Sequence, residues 1–194
     1  MGCDIHQKTF IWSNIENKMV PVMGVFAEDI CRVHEIVGNR DYDLFGLFGN
    51  SARSNYPELD CFENSDFPDF MLGHTCGKVM KDDPDAHTRR WCWLDRLRES
   101  MLEFERLLHH PKEYAKKYGD DIGFWMPNLN GLTCEKFEQI NAGLISSIKW
   151  TVGMIDEFKV DIDEFARVYT EPSDPPSLPP VDRTKIALVT WMDS

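Results

Sequence analysis

The chain has 194 residues, of which 42% are hydrophobic, and a formal net charge of −12. This length is typical of one domain and this apolar content is enough for one sizeable core, so we predict a single domain over residues 1–194. The acidic balance argues against broad electrostatic binding to double-stranded nucleic acid or to an anionic membrane. It favours a cation, a small ligand or a basic protein patch as the partner.

The start of the chain and its cysteines predict a cytoplasmic protein. The opening MGCDIH is not followed by the apolar run of a signal peptide, and His6 stands where a myristoylation signal needs Ser or Thr. No apolar run is long enough to span a membrane. The six cysteines are scattered without any CxxC pair, which is typical of free and mostly buried thiols in a reducing compartment.

Two strands and a short helix are predicted for the N-terminal part. Gly2–Trp12 has the composition of a first strand, and Met19–Phe26 that of a second, which its proline places at a sheet edge. Arg40–Gly49 is predicted to be a short helix with Asp41 as its N-cap. Residues 50–86 are rich in Asn, Asp, Pro and Gly and predict a long ordered loop of functional importance.

Helices are predicted for the middle of the chain. Apolar residues recur at helical spacing up to Leu108, and Thr88 is a suitable N-cap for that helix. A shorter helix over Pro111–Tyr118 is expected to stop at Gly119.

A second long helical region is expected further along the chain. Thr133 is predicted to cap a helix whose apolar stripe includes Ile148 and reaches Phe158. Asp161 and Glu164 resemble a capping box, which predicts that a further helical piece restarts there.

The C-terminal part is predicted to return the chain to the sheet. Glu171–Pro180 contains five prolines, and we interpret residues 172–180 as an extended spacer within the domain. A final strand is expected over Lys185–Met192. Because both ends are β-rich and helices lie between them, we predict an α+β fold with a small sheet that pairs the N- and C-terminal strands and packs against several helices.

Two segments repeat an Asp-x-His pattern and predict a polar site. Asp4 and His6 share one face of the first strand, where a carboxylate and an imidazole can bind one cation or act as an acid–base pair. Asp85 and His87 repeat this spacing directly before the predicted Thr88 helix, whose start offers free N–H groups and the positive end of a dipole. We predict that these four residues converge as metal ligands and catalytic groups.

Four further residues are predicted to contact a substrate. Arg89 and Arg90 would occupy the first helical turn, where a cation is unfavourable and needs a partner. That partner is either an anionic ligand or, more simply, an aspartate within residues 82–85. Arg40 precedes a turn whose aspartates are better explained by ordinary helix capping than by a functional role. Trp191 is a stacking candidate, although such a tryptophan is more often a core or rim residue.

Four of these segments together resemble a family of uncharacterised phage and bacterial proteins. The segments are MGCDIH, RDYDLF, DAHT and the closing VTWMDS. Members of that family open with MGCDIH, carry an R-[DN]-Y-x-L-F turn and a D-x-H-[ST] segment before a helix, and close on a strand ending much like F-W-F-D-N. Here residues 109–170 have no counterpart, Thr190 and Met192 replace aromatics, and Ser194 replaces Asn.

The resemblance implies an accessory protein of a phage or prophage, and it implies no particular activity. It draws attention to a set of residues that includes the two Asp-x-His segments. The set is Cys3, Asp4, His6, Arg40, Asp43, Asp85, His87 and Asp193.

Three functional hypotheses follow. In the first, the Asp/His site binds Zn, Mn, Fe or Ni and activates water to hydrolyse a phosphoester, with arginines holding the phosphate. In the second, the protein is a non-catalytic anti-defence factor in the host cytoplasm that binds a host protein or sequesters a small nucleotide. In the third, the polar residues form a buried network that fixes the pairing of the terminal strands.

Overall fold

The computed structural model describes residues 4–14, 17–22, 36–37, 41–49, 56–63, 87–119, 129–168 and 181–192. Within them the strands are β1 (Ile5–Ser13), β2 (Lys18–Pro21), β3 (His87–Trp93) and β4 (Val181–Met192). The helices are α1 (Leu94–Leu108), α2 (Pro111–Tyr118), α3 (Cys134–Ile140) and α4 (Ala142–Val168), with a 3-10 turn at Leu129–Gly131. Helices beside an antiparallel sheet confirm the predicted α+β fold.

The strands form one antiparallel sheet in the order β2-β1-β4-β3. β4 is central, and it pairs with β1 from Ile5–Met192 at one end to Ser13–Val181 at the other. The predicted pairing of the N- and C-terminal strands is therefore confirmed. β2 ends at Pro21, whose missing N–H suits an edge strand. The extension predicted for β2 over residues 23–26 lies outside the described residues.

The two faces of the sheet carry separate apolar layers because side chains alternate along each strand. Ile11, Cys92 and Leu188 belong to the large core, which also contains the buried stripes of the helices. The opposite face carries a smaller buried cluster of Phe10, Met19, Ala187 and Val189. The long helix α4 packs against α1, and both helices contribute fully buried residues to the large core, among them Leu97, Met101, Ile148 and Ile155.

The predicted helix start at Thr88 is wrong. Residues 87–93 form strand β3, and α1 begins only at Leu94. The reason is a two-residue alternation within this segment, in which Trp91 and Trp93 pack on the smaller cluster while Cys92 enters the large core. A bulge lies between His87 and Arg90, and Thr88, the first of the two intervening residues, has φ +49°.

The remaining helix predictions are confirmed in part. α2 covers the predicted span and ends before Gly119. The hydroxyl of Thr133 accepts the Lys136 N–H at 3.3 Å and caps α3, as expected. The helical region is interrupted at Asn141, which the sequence did not predict. The predicted restart at residues 161–164 is wrong, because α4 continues through it to Val168.

The segment predicted as a short helix forms consecutive turns over residues 42–49. The Asp41 side chain accepts the Asp43 N–H at 3.1 Å, and the Asp41 carbonyl accepts the Leu44 N–H at 3.1 Å. Asp41 therefore caps a turn, and no regular helix follows it. No helix in the described part of the chain is both long and apolar enough to cross a membrane.

Candidate functional site

The segments that carry the predicted site meet at one end of the sheet. The backbone of Met192 pairs with Ile5 on one side and with His87 on the other, and His6 pairs with Trp191. Asp4 directly precedes β1. Because neighbouring strands are about 4.8 Å apart, the starts of β1 and β3 lie about 10 Å from each other across β4. We call this edge, formed by residues 4–6, 87–90 and 191–192, the polar sheet end.

The side chain of His6 stacks on Trp191. The two ring centroids are 5.2 Å apart and the ring planes differ by 19°. Both side chains are half-buried. The stack fixes the plane of the imidazole, and it groups two of the predicted site residues at the polar sheet end.

Arg90 is held by an ion pair that the sequence did not predict. Its Nε and Nη2 donate to the two carboxylate oxygens of Glu58, with Nη2 at 3.0 Å, and its Nη1 donates to the Arg89 carbonyl at 2.9 Å. Hydrogen bonding to Glu58 raises the pKa of Arg90 above its ordinary value. Because β3 is a strand, the predicted conflict between these arginines and a helix dipole does not arise, and the partner of Arg90 comes from the preceding loop.

Several predicted site residues are not described. Arg40, Asp85 and Asp193 lie outside the described residues, and His87 is placed by its backbone only. Among the side chains that are described, no three His, Cys, Asp or Glu residues are grouped as metal ligands. The shared metal site therefore stays a prediction that depends on Asp85 and His87.

A second polar cluster lies where the turns of residues 41–49 meet the start of α4. The Tyr56 hydroxyl donates to Asn141 Oδ1 at 2.8 Å. Burial, followed by the charge of Asp43, raises the pKa of Tyr56 to about 12. A Cβ on Gly143 would lie 2.7 Å from Asp43 Oδ2, so only glycine allows this approach. Burial and the nearby Asp41 raise the pKa of Asp43.

The sequence pointed to only part of this second cluster. Asp43 was noted as a turn residue, whereas Tyr56 belongs to the segment 50–86, which was predicted to be a loop because its sequence has no periodic pattern. The break at Asn141 was hidden because apolar residues continue the helical spacing on both sides of it.

Four tryptophans surround the smaller apolar cluster on the outer face of the sheet. They are Trp12, Trp91, Trp93 and Trp191. The rings of Trp91 and Trp93 meet edge to face with centroids 5.8 Å apart, and Lys185 Nζ lies 5.1 Å from the Trp12 ring centroid. The Trp-Cys-Trp alternation of β3 is the sequence signal that could have revealed this aromatic face.

A charged groove of about 590 Å³ lies between α1 and α4. It is lined by Asp95, Arg98, Glu99, Asp156, Lys159, Val160 and Asp163. Arg98 binds both oxygens of Asp156, with Nε at 2.6 Å and Nη2 at 3.0 Å, and Lys159 pairs with Asp95. Hydrogen bonding to Arg98 lowers the pKa of Asp156. These paired charges are typical of a solvated helix interface, and they leave the polar sheet end as the better candidate site.

No family model, curated protein or solved structure matches this chain. The assignment of a function therefore depends on the chemistry of the polar sheet end itself.

Proposed function

We propose that the chain is an accessory protein of a phage or prophage whose polar sheet end binds a divalent metal ion and hydrolyses a phosphoester of a small ligand. The observation that supports this proposal is the pairing of Met192 with both Ile5 and His87. This pairing brings His6 and His87, which are distant in sequence, to the two sides of one strand.

The residues assigned to the metal are Asp4, His6, Asp85 and His87. Carboxylate oxygens and imidazole nitrogens suit Zn, Mn, Fe or Ni. A bound metal ion of this kind lowers the pKa of its water and supplies a hydroxide nucleophile near neutral pH. His6 pairs with Trp191 and His87 with Met192, and these adjacent residues of β4 face opposite sides of the sheet. A shared ion would therefore have to lie beyond the end of the strands, where ligands from both sides of the sheet can reach it.

The phosphate is assigned to Arg89 and Arg40. Arg90 was predicted to share this role, but Glu58 already binds its guanidinium through two hydrogen bonds. A phosphate would have to displace that carboxylate. We therefore assign Arg90 to positioning β3 against residues 56–63.

The test combines metal content with activity in protein purified without a chelator or a His tag. We expect stoichiometric Zn, Mn, Fe or Ni and hydrolysis of an aryl phosphate or a phosphodiester. The His6→Ala and Asp4→Asn variants should fold but lose the bound metal, and their activity should fall by at least about tenfold. His110→Ala is the matched control, because His110 is exposed and its side chain makes no capping bond to α2.

Two results would contradict the proposal. The first is protein that remains metal-free after dialysis against each of the four ions. The second is a metal content that is unchanged in both the Asp4→Asn and the His6→Ala variants. An unfolded His6→Ala variant would instead support the structural role, in which these residues hold the terminal strands together.

A second candidate function is sequestration of a small nucleotide without turnover. The half-buried His6–Trp191 stack supports this proposal, because aromatic rings of proteins also stack on nucleobases. Titration with nucleotides in EDTA should then quench tryptophan fluorescence in the native chain and less in Trp191→Phe. Saturable binding without any product after long incubation would favour this function over hydrolysis.

A further inference from the structure

Large hydrophobic side chains are exposed where α1 and α4 lie side by side. Leu102 on α1 is 38% exposed, and Trp150 and Val160 on α4 are 47% and 62% exposed. Among the described residues, Tyr42 is the one other large hydrophobic side chain that is comparably exposed. Apolar side chains that are grouped in this way on a surface are typical of a contact with another protein.

Two ion pairs between α1 and α4 border this surface. Arg98 binds Asp156, and Lys149 Nζ lies 3.4 Å from Glu105 Oε1, so the two helices run antiparallel. Leu102 lies about one helical turn from both Arg98 and Glu105, and it therefore projects on the same side of α1 as these two ion pairs.

The exposed side of α4 forms a continuous stripe in which large and small side chains alternate. Ser146, Trp150, Gly153, Glu157 and Val160 recur at intervals of three or four residues, and all five are exposed. We call these residues the α4 stripe. Glycine within a helix is less favourable than alanine by about 1 kcal/mol. Here it leaves a gap one turn from the exposed tryptophan, because a Cβ on Gly153 would meet nothing within 4 Å.

We propose that the α4 stripe binds a second copy of this chain, with the two α4 helices antiparallel about a twofold axis. Trp150 of each copy then fills the gap at Gly153 of the other copy. In the same register Glu157 lies opposite Ser146, whose hydroxyl can donate to the carboxylate. Val160 covers the start of the other α4. Each large side chain of the stripe thus meets a small one.

Charge complementarity supports this register. Lys149 and Asp156 flank the α4 stripe on the same side, directly before Trp150 and Glu157. In the antiparallel register Lys149 of one copy faces Asp156 of the other, and the twofold axis repeats this pair. The side chains of Lys149 and Asp156 are 61% and 47% exposed, so both remain accessible to a second copy despite their ion pairs within the chain.

This contact goes beyond the proposed hydrolysis and does not depend on it, because no residue of the polar sheet end lies on α4. Two single helices bury less than the roughly 1,200 Å² at the lower end of standard interfaces. Each copy also carries a net charge of −12, which opposes association. We therefore expect a weak dimer with a dissociation constant in the micromolar range.

Sedimentation velocity over a range of protein concentrations measures this dimer. We expect a reversible change from monomer to dimer in the native chain. Trp150→Ala should raise the dissociation constant by at least about tenfold, because it removes the side chain that fills the gap. Gly153→Gln should also weaken the dimer, because it closes the gap with a residue that favours the helix.

A charge exchange tests the register. Lys149→Glu alone and Asp156→Lys alone should each weaken the dimer, because like charges then face each other across the twofold axis. An equal mixture of these two variants should form a dimer with one copy of each, since both cross pairs are again opposite in charge. Lys116→Glu is the matched control, because it makes the same charge change at an exposed position on α2, outside the α4 stripe.

The proposal is overturned if the native chain stays monomeric up to about 1 mM. It is also overturned if a dimer forms and both Trp150→Ala and Gly153→Gln leave its dissociation constant unchanged. Failure of the mixed charge variants to associate would contradict the antiparallel register. Circular dichroism of each variant shows whether it is folded, and the substituted positions on the stripe are exposed in the single chain.

Discussion

At the scale of single residues, Gly49 shows how the fold depends on one missing side chain. Its φ is +90°, and a Cβ would lie 2.9 Å from Glu58 Oε2 and 3.0 Å from Arg90 Nε. Glycine therefore allows both the left-handed backbone and the ion pair that attaches residues 56–63 to β3. The sequence placed Gly49 at the end of a predicted helix, where glycine often has a positive φ. It did not predict the Arg90–Glu58 ion pair that lies against this glycine.

Gly49→Ala should destabilise the protein by about 1–3 kcal/mol, because it combines backbone strain with a clash against the ion pair. Gly153→Ala is the control, since Gly153 lies within α4 and a Cβ there meets nothing within 4 Å. That variant should be more stable by about 0.5–1 kcal/mol. Urea unfolding of both variants measures the difference, and equal effects of the two substitutions would contradict this account.

The half-buried Tyr56 and the buried Tyr114 differ in whether their hydroxyls have a hydrogen-bond partner. The Tyr56 hydroxyl donates to Asn141, whereas the buried Tyr114 hydroxyl has no hydrogen-bond partner among the described residues. We expect Tyr56→Phe to lose about 1 kcal/mol and to leave the Asn141 oxygen unsatisfied. Tyr114→Phe should be neutral or more stable by up to about 1 kcal/mol, because it removes a desolvated polar group. A clear loss of stability in Tyr114→Phe would show that its hydroxyl is bonded.

The same tyrosines predict a loss of stability at alkaline pH. The pKa of Tyr56 is about 12 in the folded protein, and burial also raises the pKa of Tyr114. An unfolded tyrosine has a pKa of about 10. At a pH between the unfolded and the folded pKa, the folded chain holds the tyrosine proton more tightly than the unfolded chain does. The contribution of this proton to the free energy of unfolding is therefore complete below about pH 10, and it is lost as the pH rises through the folded pKa. Unfolding curves measured on either side of this pH window test whether the free energy of unfolding falls as the pH rises. In Tyr56→Phe it should fall less steeply with pH than in the native chain.

At the scale of elements, the sequence predicted those whose ends carry chemical signals. α2 is bounded by proline and glycine and α3 is capped by Thr133, and each of these ends was predicted correctly. β3 was missed because the apolar positions of a strand and the following helix formed one apparent helical series. The helix was predicted to begin at Thr88, whereas α1 begins at Leu94 and the residues before it pair with β4. Pairing between segments that are distant in sequence leaves no local signal.

The buried stripe of α4 can be tested at Ile148, which is 0% exposed. Ile148→Ala should lower the free energy of unfolding by about 2–5 kcal/mol, because the side chain is fully buried in the large core. Val160→Ala on the same helix is the control, since Val160 is 62% exposed and its loss should change stability by less than about 0.5 kcal/mol. A small effect at Ile148 would place its face of α4 in solvent.

At the scale of the whole molecule, the polar sheet end also brings together the start of β1 and the end of β4. The prediction that terminal strands pair came from composition at both ends, and it is confirmed by the Ile5–Met192 register. The pairing of β3 with β4 places His87 beside this register, which the sequence could not show because it predicted a helix start at Thr88. The convergence of His6 and His87 around one ion was expected from a repeated spacing and stays a prediction.

This closeness of the strand ends predicts that the chain tolerates circular permutation. Linking Ser194 to Met1 with a short Gly/Ser linker joins β4 to β1 as a hairpin, and new ends can be opened after Gly119, beyond α2. The permutant should fold to the same far-UV spectrum and refold at least about threefold faster, because the central strand pair becomes local and its loop-closure entropy falls. A permutant opened inside α4, between Ile148 and Lys149, is the control and should not fold, since it divides the buried stripe. Stopped-flow refolding compares the rates, and an unchanged rate in the folded permutant would show that pairing of the two terminal strands does not limit folding.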